Sequence, residues 1–508
     1  MKALVSVSDK TGLVPFVQGL QKLGWEIIAT GGTQKLLEQN GVKTIGISEV
    51  TGFPEILDGR VKTLHPKVHG GILARRDLPE HMQILKEQQI GTIDLVCVNL
   101  YPFKQTIAKE GVTMADAIEN IDIGGPSMVR SAAKNWRDVT IICDPDDYDT
   151  VLAELTANGK TADETRLKLS AKAYTHTAEY DMCIATYMRK QAGLNEKLFL
   201  EYDLKQSLRY GENPHQEAKF FAAPEPCGFS LAHAEQIQGK EMSYNNIQDG
   251  NAALSVVQDF DEPFCVALKH MNPCGAAVGK TIEEAWQAAY EADKVSIYGG
   301  IVAVNRTLTA EVAQGMKPIF LEIVLAPDYT PEALEILATK KNLRVLKVDM
   351  QTPSAKIQYT GVRGGMLMQD YDASVEKISA EMCVTEKKPS AEELADMAFG
   401  WKIVKHVKSN AIAVVRDNHT LGIGAGQTNR VGSAEIARKQ ANEAGFTSGL
   451  ILASDGFLPF GDTVELAAKY GVSAIVQPGG SIRDEESIVE ANKLGITMLF
   501  TGVRHFKH

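Results

Sequence analysis

The stretch Lys2-Ala3-Leu4-Val5-Ser6-Val7-Ser8-Asp9-Lys10-Thr11-Gly12, continued by Leu13 to Leu23, decides the fold class. Lys2 to Val7 reads as a short buried strand, and Leu13 to Leu23 has the spacing of an amphipathic helix. Trp25 to Ala29 reads as a second strand, followed by Gly31-Gly32-Thr33 and a helix near Gln34 to Gln39. Val42 to Ile47, Ile93 to Asn99 and Val139 to Cys143 continue as short apolar strands. Strands alternating with helices predict an α/β protein with a mostly parallel, doubly wound sheet. Thr161 opens a long helical stretch to about Lys190, with Asp163 and Glu164 in the first turn, where the helix dipole favours acids. Gln191 to Gln216 is irregular, with Gly193, Gly211 and Pro214, and the expected domain boundary lies there, giving 1–198 and 199–508.

Beyond that boundary the alternation resumes on a larger scale. Phe264–Leu268, Gly300–Val304, Ile323–Ala326, Ala411–Arg416, Leu450–Ser454 and Ala474–Gln477 are the strand candidates. Lys269-His270-Met271-Asn272-Pro273-Cys274-Gly275 and Ala453-Ser454-Asp455-Gly456-Phe457-Leu458-Pro459-Phe460 each follow an apolar run, which suggests two similar α/β layers packed together. A chain of 508 residues exceeds one ordinary core, and roughly two to four domains are expected. With 44% hydrophobic and 23% charged residues the composition is that of a soluble globular protein. The net charge of −11, from 53 Lys and Arg against 64 Asp and Glu, argues against nucleic acid or anionic membranes as partners. Seven scattered cysteines, none in a C-x-x-C pair, suit reduced thiols. Ser8, Asp9 and Lys10 break the N-terminal apolar run too early for a signal peptide, and no stretch reaches the roughly 18 apolar residues of a membrane span. The expected location is cytoplasmic.

Two loops in the first part, Ser6 to Gly12 and Ala29 to Thr33, carry hydroxyls and glycine between a strand and a helix. Backbone N–H groups at a helix N-terminus form a natural phosphate cradle, and Lys10 adds a charge, although Ser, Thr and Gly are also ordinary N-caps. Arg60-Val61-Lys62-Thr63-Leu64-His65-Pro66-Lys67-Val68-His69 is denser in cations than folding requires and suits a phosphorylated ligand. His65 and His69 have the spacing of a helical metal pair, but Pro66 and the lack of an intervening Glu speak against a metal. Asn99-Leu100-Tyr101-Pro102-Phe103 ends a strand, and Asp122-Ile123-Gly124-Gly125-Pro126 precedes a helix with Arg130 and Lys134 one turn apart. In the second part, Lys269-His270 at a strand end before the turn formers Asn272, Pro273 and Gly275 offers a cation beside a group titrating near neutrality. The same pair also reads as a surface lysine next to a turn-capping histidine. Gly422 to Gly426 lacks the full G-x-G-x-x-G spacing of a dinucleotide site.

These motifs resemble the bifunctional AICAR transformylase/IMP cyclohydrolase family, and the resemblance covers essentially the whole chain. In the first part it rests on S-V-S-D-K-T-G-L, A-T-G-G-T, R-V-K-T-L-H-P, N-L-Y-P-F, D-I-G-G-P-S and R-S-A-A-K-N. It implies a methylglyoxal-synthase-like domain in which Lys62, Tyr101, Asp122 and Lys134 line a cyclohydrolase centre. Ser8, Lys10, Thr33, Arg60, Thr63 and Gly124 would surround the nucleotide. In the second part it rests on L-R-Y-G-E-N-P-H-Q, K-H-x-N-P-x-G, Ser409-Asn410, the run Gly422 to Arg430, Phe460-Gly461-Asp462 and the terminal T-G-V-R-H-F. It implies two cytidine-deaminase-like α/β/α subdomains, with Lys269, His270 and Asn410 catalytic. Arg209, Tyr210, Arg430 and Arg504 would bind AICAR, with Phe460 and Asp462 nearby.

The zinc signature of the deaminases, H-x-E with P-C-x-x-C, is missing, and the resemblance implies no catalytic metal. It implies 10-formyltetrahydrofolate as co-substrate, leaves room for a structural potassium ion, and implies a homodimer with shared transformylase sites. The expected activity is transfer of a formyl group to AICAR followed by ring closure to IMP with loss of water. Two other readings remain open on the residues: a transferase whose first domain is a regulatory phosphate-binding module, and a nicotinamide oxidoreductase using Gly422 to Gly426.

Overall fold

The computed structural model describes residues 1–458 and 461–508, which divide into two compact units, Met1–Glu201 and Tyr202–His508. In the first, β1 (Lys2–Ser6), β2 (Glu26–Ala29), β3 (Thr44–Gly46), β4 (Leu95–Val98) and β5 (Thr140–Ile142) form a parallel sheet in the order β3-β2-β1-β4-β5. Helices cover both faces, so these strands are continuous apolar runs rather than alternating ones. Leu4, Ile28, Val96 and Ile141 are all buried in one core. The chain winds outward from β1 to β3, then returns to β4 on the other side. The crevice between β1 and β4 is therefore the topological switch point, where ligands of open α/β sheets bind. The expected strand Val42–Ile47 is cut to three residues because Ile47 opens the short helix Ile47–Thr51, with the Glu49 carboxylate accepting the Gly46 N–H at 2.8 Å.

The second unit starts with a small hairpin, β6 (Asp203–Leu208) and β7 (Ala218–Ala222). There follow β8 (Glu235–Gln238), β9 (Phe264–Lys269), β10 (Asn272–Val278), β11 (Gly300–Val304), β12 (Leu321–Ala326) and β13 (Arg344–Lys347). A separate hairpin, β14 (Ile357–Val362) and β15 (Gly365–Asp370), intervenes before β16 (Ile412–Arg416), β17 (His419–Gly424), β18 (Leu450–Ser454), β19 (Val472–Gln477) and β20 (Thr497–Phe500). One eleven-stranded sheet results, in the order β20-β19-β18-β16-β17-β10-β9-β11-β12-β13-β8.

Its two halves repeat each other. An antiparallel hairpin (β9–β10 or β16–β17) is extended by one antiparallel strand (β11 or β18) and then by two parallel ones. The halves join edge to edge through antiparallel β10 and β17, where the Ala276 N–H donates to Thr420 Oγ1 at 2.9 Å. The expected pairing of the two layers is corrected in two respects. The repeats share one sheet instead of stacking as layers, and the partner of Phe264–Lys269 is Ala411–Arg416, not Leu450–Ser454. Strand alternation explains the three layers. Phe264, Val266, Leu268, Ala413 and Val415 face a common core with the helices Tyr244–Val257 and Ala391–Val404. On the opposite face Cys265 and Ala267 enter one core, and Ile412 and Val414 another.

The glycine run has a packing reason. A Cβ on Gly422 would meet the Ala437 carbonyl oxygen at 1.8 Å, and one on Gly424 the Ser433 carbonyl oxygen at 1.9 Å. The helix Arg430–Glu443 therefore lies directly on the β17 backbone. At the C-terminus, the buried His505 ring lies between Asp372 (Nδ1 to Oδ2, 2.6 Å) and Glu376 (Nε2 to Oε2, 2.8 Å), and Trp401 Nε1–H donates to the same Glu376 oxygen at 2.7 Å. Burial disfavours the charged ring, but the two carboxylates prevail and raise its pKa. Burial likewise opposes the Glu376 charge, yet hydrogen bonds from Ser374, Trp401 and His505 hold its pKa down to about 2.

Two outcomes follow. Gly424→Ala should destabilise the second unit by about 1–3 kcal/mol, the usual cost of overpacking, seen as a lower melting temperature of the full-length chain. A group whose folded pKa is raised stabilises fully below its unfolded value and loses that contribution as pH rises through the folded one. The stabilisation from His505 is thus complete in mild acid and fades on the alkaline side. His505→Gln should lower the melting temperature most at mildly acidic pH, with the gap to the natural chain closing as pH rises. A gap independent of pH would contradict the charged-ring account.

Candidate active sites

At the switch point of the first unit, β1 and β2 end in hydroxyl-bearing turns that are tied together. Ser6 Oγ and Thr30 Oγ1 are 2.6 Å apart, and Thr33 Oγ1 both accepts the Val7 N–H and donates to the Val7 carbonyl at 3.1 Å. Asn99, just beyond β4, fixes the next residues: its Oδ1 accepts from the Ser8 (2.6 Å) and Asp9 (3.0 Å) N–H groups, and its Nδ2 donates to the Asp9 carbonyl (2.9 Å). The result is a cavity of about 570 Å³. Nine of the residues named from sequence line it: Ser8, Lys10, Thr33, Arg60, Lys62, Thr63, Tyr101, Asp122 and Gly124. Asn99 and Thr30 also line it. Sequence reasoning did not single them out, although Asn99 opens the N-L-Y-P-F motif.

Asp122 sits just before the helix Gly124–Lys134, and its Oδ1 accepts the Gly125 N–H at 2.7 Å. The Tyr180 hydroxyl accepts the Asp122 N–H at 2.7 Å. Glycine is required after it, because a Cβ on Gly125 would meet Asp122 Oδ2 at 2.3 Å and one on Gly124 would meet Thr63 Oγ1 at 2.5 Å. Burial raises the Asp122 pKa, opposed by the Gly125 N–H and the Lys62 charge. A carboxyl shifted toward neutrality beside a lysine is suited to exchanging protons. The Arg60 guanidinium meets Glu119 at the cavity mouth in an exposed ion pair, the kind an incoming anion can replace.

Lys134 departs from the expectation. It ends the eleven-residue helix that begins at Gly124, about 15 Å along the axis from the cavity, and is exposed outside it. The histidine pair is also resolved. His65 Nδ1 caps a helix by accepting the Lys67 N–H at 3.1 Å, and His69 Nδ1 lies 3.0 Å from Ser131 Oγ. Among the described residues no group of three His, Cys, Asp or Glu is placed to hold a metal ion.

In the second unit, the turn after Phe264–Lys269 comes earlier than the sequence suggests. Asn272, Pro273 and Gly275 do not form it. They belong to β10, where a bulge between Pro273 and Gly275 accommodates the proline. The turn is the two residues His270 and Met271, between paired Lys269 and Asn272, with φ of 51° and 63°. Left-handed φ at both positions matches the type I′ hairpin, normally built from Asn and Gly. For side chains such as these it costs of the order of 1–3 kcal/mol each. His270 is consequently thrust into solvent at the sheet end, while Lys269 Nζ donates to the Tyr298 carbonyl at 2.9 Å.

The register brings Asn410 to that same sheet end, since β16 starts beside the end of β17, which pairs with β10. Asn272 Oδ1 accepts the Lys408 N–H at 2.9 Å, linking the turn to the Ser409-Asn410 segment, whose peptide is cis. Asn410 Nδ2 donates to the Gln427 carbonyl at 2.9 Å. Arg430 pairs with the fully buried carboxylate of Asp455, which also accepts from Ser409 Oγ. The guanidinium has five donors, so this pair orients it without exhausting it. Asp455 is a residue that sequence reasoning did not name as functional; its signal was an acid directly after an apolar strand. Arg504 lies over the Phe506 ring at 4.3 Å, and Arg209 over Tyr210 at 5.0 Å. Glu212, in the Arg209 segment, accepts through its backbone carbonyl from Asn245 Nδ2 at 3.3 Å, at the start of the helix Tyr244–Val257. Asp462 lies in the first turn of the helix Gly461–Lys469 and accepts the Thr463 N–H at 2.6 Å. Phe460 falls outside the described residues.

Known proteins resemble this chain over both of its parts. Residues 12–127 match the MGS-like domain, and residues 132–440 match the family described as AICARFT/IMPCHase bienzyme. Proteins of Bacillus cytotoxicus and Bacillus mycoides, each named bifunctional purine biosynthesis protein PurH, are 58% identical over 510 residues, spanning 100% of this chain and 99% of the relative. A solved structure titled "Crystal structure of ForH" is 41% identical, covers 36% of this chain and 97% of its own, and superposes with a TM-score of 0.34. On the full-length relatives and the profile that matches more than half of its residues, the chain belongs to the AICARFT/IMPCHase bienzyme family and is a bifunctional enzyme of purine biosynthesis.

Proposed function

We propose that the Lys269-His270 turn carries the formyl transfer and that the switch-point cavity of the first unit carries the ring closure. What supports this reading is that the residues named from sequence for each reaction lie on separate compact units, nine of them around one cavity. In the transfer, the aromatic amine of AICAR attacks the formyl carbon of 10-formyltetrahydrofolate. The new N–C bond forms, the bond to the folate nitrogen breaks, and the folate nitrogen leaves carrying a proton. That amine is a poor nucleophile, and the exposed His270 imidazole takes its proton as attack proceeds. Lys269 and Asn410 stabilise the tetrahedral oxyanion or assist departure of the folate nitrogen. Arg209, Tyr210, Arg430 and Arg504 supply cations and aromatic faces for the phosphorylated substrate, with Asp462 near them.

In the closing step, the carboxamide nitrogen attacks the formyl carbon of the same molecule and water leaves. Both reactants are on one ligand, so holding it folded supplies most of the rate, with effective molarities of about 10⁵–10⁸ M in favourable cases. The Ser8 and Thr63 hydroxyls, with the Lys10 and Arg60 side chains, hold the nucleotide phosphate, and Thr33, bonded to Val7, fixes the loop beside it. Lys62 and Tyr101 polarise the formyl oxygen, and Asp122 moves the proton. Lys134, outside the cavity, has no part in this scheme. The protein works in the cytoplasm as a homodimer whose transformylase sites are shared between subunits.

His270→Ala should lower formyl transfer by about 10²–10⁴-fold, the usual worth of a general base. Cyclisation of preformed formyl-AICAR, followed by absorbance, should keep its rate. Asp122→Asn should do the reverse. Normal transfer in purified His270→Ala, or loss of both activities in either variant, would overturn the assignment.

A further inference from the structure

The two halves of the large sheet repeat more than their strand order. The helix before each hairpin is capped by a serine, Ser243 or Ser390, and carries an aspartate six residues on, Asp249 or Asp396. Each aspartate lies 21 residues before the first turn residue, and all these pairs are 147 residues apart. In the second half, Asp396 accepts both turn N–H groups, from Asp417 (3.0 Å) and Asn418 (2.6 Å), and both turn residues have left-handed φ (52° and 55°). In the first half, Asp249 Oδ1 accepts the Met271 N–H at 2.8 Å, and the His270 N–H also stabilises the same carboxylate. Even the residue before each turn is matched. Lys269 Nζ donates to the Tyr298 carbonyl (2.9 Å), and Arg416 Nη1 donates to the Ser448 carbonyl (3.3 Å).

The same device thus presents different residues at opposite ends of the sheet. Asp417-Asn418 tolerates left-handed backbone well, because short polar side chains visit it routinely. His270-Met271 tolerates it poorly, so that turn depends more on the carboxylate beneath it. We propose that Asp249 is the positioning residue of the formyl transfer: by accepting the turn N–H groups it holds His270 and Met271 in left-handed conformation and aims the imidazole at the substrate. Asp249 is half-buried and Asp396 buried on their helices, and burial raises the pKa of each, opposed by the turn N–H groups they accept. A site that pays desolvation twice, in the same place of each repeat, is holding the backbone there.

The inference rests on His270 as the base, and the test separates the two. In the full-length protein, Asp249→Ala should lower the kcat of formyl transfer by about 10²-fold, the cost of a small misplacement of a catalytic group, with little change in the KM for AICAR. Cyclisation by the same preparation should be unchanged, which shows that the chain is folded. Adding Met271→Gly, which takes positive φ freely, should restore much of the loss, and Asp249→Asn, which keeps the carbonyl acceptor, should retain most of the rate. Asp396→Ala should lower the melting temperature and leave transfer intact. Full transfer by Asp249→Ala beside an inactive His270→Ala would overturn the positioning role alone. An active His270→Ala would overturn the base and the positioning role together. Equal loss of transfer in Asp249→Ala and Asp396→Ala, or no rescue by Met271→Gly, would reduce Asp249 to a general stabiliser and reject the proposal.

Discussion

The antiparallel join of β10 to β17 is the constraint from which the second unit follows. It fuses two repeats into one sheet, and its register sets which loops share an end of that sheet. At one end it gathers the His270 turn, Asn272, the Lys408–Asn410 segment and the end of β17. At the other it leaves the Asp417-Asn418 turn, against which the Val278 N–H closes the hairpin edge at 3.0 Å. Shifting the pairing by one residue would turn every side chain to the opposite face of the sheet, away from the cores that define the halves. Burial on both faces therefore protects the geometry of a site that is itself largely exposed.

The first unit uses a different economy. Its cavity is lined mostly by groups whose positions are fixed by the backbone: strand-end hydroxyls, helix-start N–H groups and glycines that allow close approach. Lys10, Arg60 and Lys62 are the long cationic side chains among its lining residues. Asp122 is charged yet fixed in place, because the Gly125 N–H and the Tyr180 hydroxyl hold it while burial shifts it toward the neutral form. A preorganised cradle suits a reaction in which both partners are on one molecule and orientation supplies most of the rate.

Particular residues show how far the chain could be read without coordinates. The strands Gly300–Val304 and Leu450–Ser454 were legible to the residue, because short apolar runs bounded by polar turns allow little else. The N-terminal cavity was legible because its residues cluster in dense motifs. The His270 turn was misplaced by two residues. Asn-Pro-x-Gly is a strong local turn signal, while His-Met is a poor one, and the decisive carboxylate is contributed by a helix more than twenty residues earlier. The internal repeat was matched to the wrong strand for a related reason. The local similarity of two strand-end loops was visible, whereas the true correspondence lies in strand pairing and in two aspartates that contact distant backbone. Lys134 was drawn into the cavity by its motif, and only the rise of its helix removes it.

By itself the sequence determined the α/β class and the family, and it named nine of the residues that line the cavity of the first unit. Those properties reside in local periodicity and in residue type, which a linear reading preserves. Tertiary structure alone decided the single fused sheet, the left-handed turn that exposes His270, the commitment of Arg430 to buried Asp455, and the place of Lys134. The first three depend on hydrogen bonds, ion pairs or strand register between segments far apart in the chain, and the fourth on where the cavity lies along the helix that Lys134 ends; no local pattern encodes which distant backbone group a carboxylate will meet.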